Sequence, residues 1–124
     1  MHEFSVCQSL LDQVSTIAAQ HHAHAVTQIT LQIGPYAGVE PRLLCDAFEV
    51  ARLGTVADKA ELSIETQPVR VHCETCGEDS EAAINRLVCA SCGDYHTRLI
   101  SGDELLLASV ELENDAPVEA GAGY

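Results

Sequence analysis

The chain has 124 residues, 47% of them hydrophobic, and sets 6 Lys and Arg against 19 Asp and Glu for a formal net charge of −13. That length makes one ordinary domain, or a small domain with a smaller appendage, and the charge leaves no positive field to gather the phosphates of a nucleic acid. No apolar run approaches the roughly 20 residues that cross a bilayer, and the first twenty residues carry no basic leader, so a cytoplasmic protein without membrane insertion is expected.

From Glu3 to about Ala19, the residues Phe4, Cys7, Leu10, Leu11, Val14, Ile17 and Ala18 recur at spacings of three and four. That stripe predicts an amphipathic helix. The next segment, "AVTQITLQIG", switches to a period of two, with Ile29, Leu31 and Ile33 alternating against Gln28, Thr30 and Gln32. It predicts a half-buried strand ended by Gly34-Pro35.

In "GVEPRLLCDAFEVARLGT", Pro41 stands where a first helical turn tolerates it and Gly54 where a helix stops, with Leu44, Phe48 and Ala51 on one face between them. This is a second helix. Two further strands are expected: "AELSIET", with Leu62 and Ile64 inward, and "ELLLASVELE", with Leu106, Ala108, Val110 and Leu112 inward.

Between those strands, residues 69–98 are poor in large apolar side chains and rich in Cys, Gly and charge. A unit below about 40 residues needs a metal, disulfides or a partner to hold a fold. The end, "NDAPVEAGAGY", has no period and reads as a mobile tail over 114–124. The expected architecture is α+β: two helices on a sheet of about three strands, built from 1–68 and 99–113, with 69–98 inserted before the last strand.

The insert carries "CETCG" and "CASCG", which supply Cys73, Cys76, Cys89 and Cys92 as two Cys-x-x-Cys pairs. Two thiolates separated by two residues reach one tetrahedral ion, and the glycines that follow, Gly77 and Gly93, permit turns that aim backbone N–H groups at sulfur. Four thiolates close the coordination sphere, which predicts a structural zinc-ribbon-like site with no position for substrate. The competing readings are a pair of disulfides or a redox dithiol, disfavoured by the reducing compartment and by the duplication. His72 and His96 flank the pairs; they read as solvated loop histidines, with substitution for a sulfur as the other option.

The chain opens "MHEF". The Met1 amine, the next amide nitrogen and the His2 imidazole are three nitrogens in a row, able to close a five-membered and then a six-membered chelate ring, and Glu3 adds an amide nitrogen or a carboxylate. Nitrogen-rich square-planar coordination favours Ni(II) or Cu(II). Initiator methionine is expected to persist before so bulky a second residue. A polar residue at a helix start, with Glu3 as a favourable charge there, is the plain alternative.

The stretches "MHEFSVCQSLL", "IGPYAGVEPRLLCDAFEVARLGTVADKAELSIE" and "SGDELLLASVELE", with the paired cysteines and their glycines, resemble the HypA family of hydrogenase maturation nickel metallochaperones from Met1 to about Glu113. The resemblance implies that Met1, His2 and Glu3 carry nickel and that Cys73, Cys76, Cys89 and Cys92 carry zinc. It implies a non-enzymatic nickel carrier that works with the GTPase HypB and serves the large subunit of [NiFe]-hydrogenase, with urease maturation proteins as further partners in some members. Pro35-Tyr36 and a histidine cluster depart from the family pattern without touching the metal motifs.

That cluster, "QHHAHA", places His21, His22 and His24 together. A helix over 3–20 would hold it roughly 25 Å from His2, so it reads as a solvated helix end, with an auxiliary metal store as the alternative. Cys7 and Cys45 fall on or beside the apolar faces of the helices and read as buried thiols; recruitment of Cys7 to nickel stays open. Two other functions compete with the carrier. An enzyme is disfavoured because no nucleophile–base pair or open metal site is visible. A zinc-ribbon adaptor that only binds proteins shares every feature but the chain-start chelate.

Overall fold

The computed structural model describes residues 2–114; Met1 and 115–124, and with them nearly all of the segment read as a tail, lie outside the described residues. The fold is α+β. The elements run α1 (His2–Gln20), β1 (Ala23–Ile33), α2 (Pro41–Ala51), β2 (Glu61–Thr66), β3 (Val69–Cys73), β4 (Asp79–Ala82), β5 (Thr97–Ser101) and β6 (Leu105–Asn114). They form two three-stranded sheets, ordered β2-β1-β6 and β4-β3-β5. No described helix is long and apolar enough to cross a membrane.

The chain divides into two compact units. One takes the chain up to Leu31, Glu40–Ile64 and the chain from Leu107; the other takes Gln32–Val39 and Glu65–Leu106. In the first, α1 buries Cys7, Leu10, Leu11, Val14 and Ala18 of the predicted stripe, while Ile17 is half-buried and Phe4, in the first turn, is exposed. Helix α2 buries Leu44 and Phe48, and central strand β1 buries Val26, Ile29 and Leu31.

Helix α2 starts where the sequence allows and stops early. Glu40 is its N-cap, with extended backbone and a carboxylate that accepts the Arg42 N–H at 3.0 Å; Pro41 occupies the first turn, where a missing N–H is harmless. The helix ends at Ala51 with Arg52 as C-cap, and Gly54 (φ +76°) turns the chain after it. Arg52 lies 5.6 Å from the Phe48 ring centroid and donates to the Ala60 carbonyl at 2.7 Å. The turn 55–60 is thereby fastened to the helix end.

The last strand corrects one expectation. Val110 and Leu112 are half-buried as predicted, but Leu106 is 53% exposed and Ala108 is exposed, while Leu107 takes the inward place. Half-buried positions three apart at 107 and 110 mean that the alternation slips by one residue, which exchanges the faces of everything before it.

In the second unit β3 is central, and its alternation buries Val69, Val71 and Cys73 on one face. Both neighbours pair antiparallel, with Val71 opposite Ser80 and Leu99, and Cys73 opposite Thr97. Gly34 and Gly102 cross at the unit's base: a Cβ on Gly34 would sit 2.1 Å from the Gly102 carbonyl oxygen, so no other residue fits there. The same crossing is fixed by the Gly34 N–H to Glu104 carbonyl bond (2.9 Å) and the Tyr36 N–H to Gly102 carbonyl bond (2.7 Å). Tyr36 then accepts the Asn85 N–H on its phenolic oxygen at 2.8 Å, pinning the loop before the second cysteine pair.

Candidate metal centres

The four insert cysteines meet in one cluster. Their sulfur atoms all lie within 4.8 Å of one another, with Cys73 to Cys92 and Cys76 to Cys89 both at 3.6 Å. A disulfide needs about 2.05 Å. A regular tetrahedron with zinc–sulfur arms of about 2.3 Å has edges of about 3.8 Å, so donor type, number and spacing all fit a zinc ion.

The two pairs are built alike. In each, the first cysteine's carbonyl accepts the glycine N–H at 2.9 Å (Gly77 on Cys73, Gly93 on Cys89), and the glycines have φ +81° and +78°. In each, the first cysteine's N–H returns to the carbonyl just beyond the glycine, Glu78 or Asp94, at 2.9 Å. Backbone N–H groups then converge on sulfur: Cys76 on Cys73 (3.4 Å), and Ser91 and Cys92 on Cys89 (3.3 and 3.4 Å). Such donors favour the thiolate. The Cys76 N–H holds the Cys73 thiol below its ordinary value, and the Cys92 N–H helps draw Cys89 down to about 6. Cys76 receives the Glu78 N–H, yet desolvation and the neighbouring thiols of Cys89 and Cys73 push it up to about 12. The converging N–H groups thus favour the thiolate form at Cys73 and Cys89.

The flanking histidines are engaged elsewhere. His72 Nδ1 lies 2.7 Å from Asp79 across the β3–β4 ladder, and His96 Nδ1 lies 2.9 Å from Asp94. Asp94 is held at about 2 by hydrogen bonds from Thr75 and then His96. Among the described residues, the four cysteines are the group of three or more His, Cys, Asp or Glu side chains placed to hold a metal ion. His96 also stacks on Tyr95 at 4.4 Å between ring centroids.

At the chain start, His2 is exposed and opens α1; Met1, the other nitrogen source, lies outside the described residues. The Glu3 carboxylate accepts the Glu40 backbone N–H at 3.2 Å, joining the first turn of α1 to the cap of α2. That bond lowers the Glu3 pKa from its ordinary 4.5. A depressed carboxylate stabilises the fold above its unfolded pKa, and the contribution is lost as pH falls through the lower folded value. Glu40 was not singled out by sequence, although a glutamate directly before Pro41 at a helix start was the available signal.

The remaining candidates stand apart. His21 and His22 follow α1, while His24 lies on β1 with Nε2 3.2 Å from Glu113. Since α1 is continuous over 19 residues, its end at Gln20 lies about 27 Å from His2 along the axis, and His21 and His22 follow directly after it. Cys7 is fully buried, its thiol donates to the Leu44 carbonyl at 3.5 Å, and burial, then Cys45, raises it to about 11. It is a neutral thiol in the core, as read. Cys45 is half-buried and raised by desolvation, then by Asp46 and Glu49.

The sequence model of the HypA family, described as "Hydrogenase/urease nickel incorporation, metallochaperone", matches residues 1–112. The chain belongs to the HypA family. It is 47% identical over 112 residues to hydrogenase maturation factor HypA of Nitrosospira multiformis, covering 90% of this chain and 97% of that one. It is 44% identical over 115 residues to hydrogenase maturation factor HypA of Aquifex aeolicus, covering 93% and 100%. Its fold is similar to the solution structure of the Ni metallochaperone HypA from Helicobacter pylori, with TM-score 0.68, 27% identity, and 91% and 98% of the two chains covered. HypA proteins are nickel-incorporating maturation factors and not catalysts.

Proposed function

We propose that this chain binds Ni(II) through the Met1 amine, the His2 amide nitrogen and imidazole, and Glu3, and yields it to a maturing [NiFe]-hydrogenase. The body, 1–68 and 99–113, handles nickel; the segment 69–98 holds structural Zn(II) on Cys73, Cys76, Cys89 and Cys92. The GTPase HypB and the hydrogenase large subunit are the proposed partners in the cytoplasm, with urease maturation proteins as further ones.

The observation that carries the reading is where His2 and Glu3 stand: in the first turn of α1, with the Glu3 carboxylate already given to Glu40. The first N–H groups of a helix have no carbonyl partner within it. An ion can therefore take amide nitrogens there without breaking a helical bond. The carboxylate that reaches Glu40 makes Glu3 the tether of the chelating turn and keeps its oxygens near the position trans to the His2 amide nitrogen, because the Met1 amine and the imidazole fill both positions cis to it in a square plane. Zinc, when bound, supplies the positive charge that lets all four sulfurs ionise and closes the insert around them.

Release follows from the same geometry. Donors on an exposed chain start detach one at a time, and a partner site richer in thiolates draws the ion off. Net charge −13 steers a basic partner region, which makes association salt-sensitive.

Calorimetric titration of untagged protein tests the carrier reading against a zinc-only adaptor. The expected result is one nickel per chain, bound with proton release and weakening as pH falls, and unaltered when His21, His22 and His24 are all replaced by alanine. No nickel uptake by zinc-loaded protein favours the adaptor; loss of uptake in the triple variant would move the site to that cluster.

A further inference from the structure

We infer that Cys76 and Cys92, the second cysteines of the two pairs, are sites of modification by peroxides, and that each passes the oxidation to the buried first cysteine of the opposite pair. Cys76 thereby joins Cys89, Cys92 joins Cys73, and zinc is released. The inference rests on the zinc reading of the cluster and goes beyond it, to a reaction of that site.

The four sulfurs are not equivalent. Cys73 and Cys89 are buried, at 0% and 2% exposure, whereas Cys76 and Cys92 are exposed. The hydrogen bonds divide them the same way. Cys73 receives the N–H groups of Cys76 and Thr75, and Cys89 those of Cys92 and Ser91, while Cys76 receives the N–H of Glu78 and Cys92 that of Asp94. Each such donor draws electron density from the sulfur it meets. With all four held on one ion as thiolates, the sulfurs that oxidant can reach are therefore also the more electron-rich ones, and thiolate character with exposure is what sets susceptibility to oxidation. The other two thiols lack both: Cys7 is fully buried, Cys45 half-buried, and burial raises each so that it stays protonated.

The partner sulfur lies across the cluster. Cys76 to Cys89 and Cys73 to Cys92 are both 3.6 Å. Closure within a pair has to undo the turn that builds it: the Cys76 N–H is held on the Cys73 sulfur and the Cys92 N–H on the Cys89 sulfur, both at 3.4 Å, in turns fastened by the glycine N–H bonds at 2.9 Å. Bonds that need no metal clasp the two turns together, since the Thr75 hydroxyl donates to the Asp94 carboxylate and the Glu74 N–H to the His96 carbonyl at 2.8 Å. Joining sulfurs across the cluster leaves the turns and the clasp in place.

With hydrogen peroxide as oxidant, the Cys76 thiolate attacks one peroxide oxygen; a sulfur–oxygen bond forms, the oxygen–oxygen bond breaks, and hydroxide leaves. The Cys89 thiolate then attacks the Cys76 sulfur, and a sulfur–sulfur bond forms as the second hydroxide leaves. Two thiolates have given two electrons to one peroxide. Cys92 and Cys73 react likewise with a second. A cluster reduced to two thiolates, then to none, no longer closes a tetrahedral coordination sphere.

The test uses the zinc-loaded full chain and hydrogen peroxide, with a zinc indicator reading release and tryptic mass mapping reading the sulfurs. Arg70, Arg86 and Arg98 place the first pair in peptide 71–86 and the second in peptide 87–98. Bonds across the cluster leave these peptides joined; bonds within a pair leave them separate. The expected result is zinc release together with joined peptides whose fragmentation shows Cys76 on Cys89 and Cys92 on Cys73. Brief treatment of the zinc-loaded protein with N-ethylmaleimide should label Cys76 and Cys92 at least about tenfold faster than Cys73 and Cys89. A thiol reductant supplied with zinc should restore the metal. Separate peptides, equal labelling of the four cysteines, or release that yields sulfinic acid without a disulfide would overturn the inference and leave the zinc reading standing. A chain that carries no zinc on these sulfurs before peroxide is added would overturn both.

Discussion

Stripping the metal from the four-cysteine cluster, or replacing Cys73 by serine, is expected to unfold the second unit while α1, β1 and α2 keep their amide protection. The buried apolar residues of that unit are Ile33, Val39, Val69, Val71, Cys73 and Cys89, and two of these six belong to the proposed zinc site. A buried Val or Ile contributes about 1.5–3 kcal/mol, whereas ordering backbone costs about 1–2 kcal/mol per residue. Four such side chains cannot hold a unit made of Gln32–Val39 and Glu65–Leu106. Zinc on four thiolates contributes about 10–16 kcal/mol in small metal-folded units, which exceeds any other single interaction present. Hydrogen exchange before and after exhaustive chelation measures the effect: protection in β3, β4 and β5 should vanish. Unchanged exchange across 70–98 would refute a structural metal.

The second large effect is expected from His2→Ala. The side chain is exposed and makes no contribution to the core, so the fold should be untouched. Loss of the imidazole removes the six-membered chelate ring and leaves an amine with amide nitrogens only. Altering an outer-shell partner of a metal ligand already lowers affinity about 10–100-fold, so removing a ligand should lower it about 100-fold or more, roughly 2.7 kcal/mol. Cells carrying the variant should accumulate hydrogenase large subunit without nickel. Affinity within about threefold of the parent would remove His2 from the site.

Much of this was legible in the chain because it is local. The three-and-four spacing of α1, the alternation of β1, Pro41 at the start of α2, and the paired cysteines with their glycines each declare themselves within a few residues. What escaped is long-range. The Glu3 to Glu40 bond spans 37 residues, the Gly34–Gly102 crossing 68, and no periodicity encodes either. The strands around the cysteine pairs were also hidden: β4 (Asp79–Ala82) is four polar or small residues, and its pairing is set by β3 and the cluster instead of by its own pattern. In β6 the run "LLLAS" offers apolar residues to both faces, so alternation alone could not fix which turned inward.

The central claim is that the free amine of Met1 and the imidazole of His2 together form the nickel site. It is tested most directly by titrating nickel into untagged, zinc-loaded protein with a free first residue, and into the same protein acetylated at that amine, while following the absorption bands of the bound ion. With the amine free, the account predicts one nickel per chain with the spectrum of a square-planar, nitrogen-rich site; acetylation should abolish both while leaving the helical signal and the zinc content unchanged. Equal uptake with the same spectrum from the acetylated protein would contradict it.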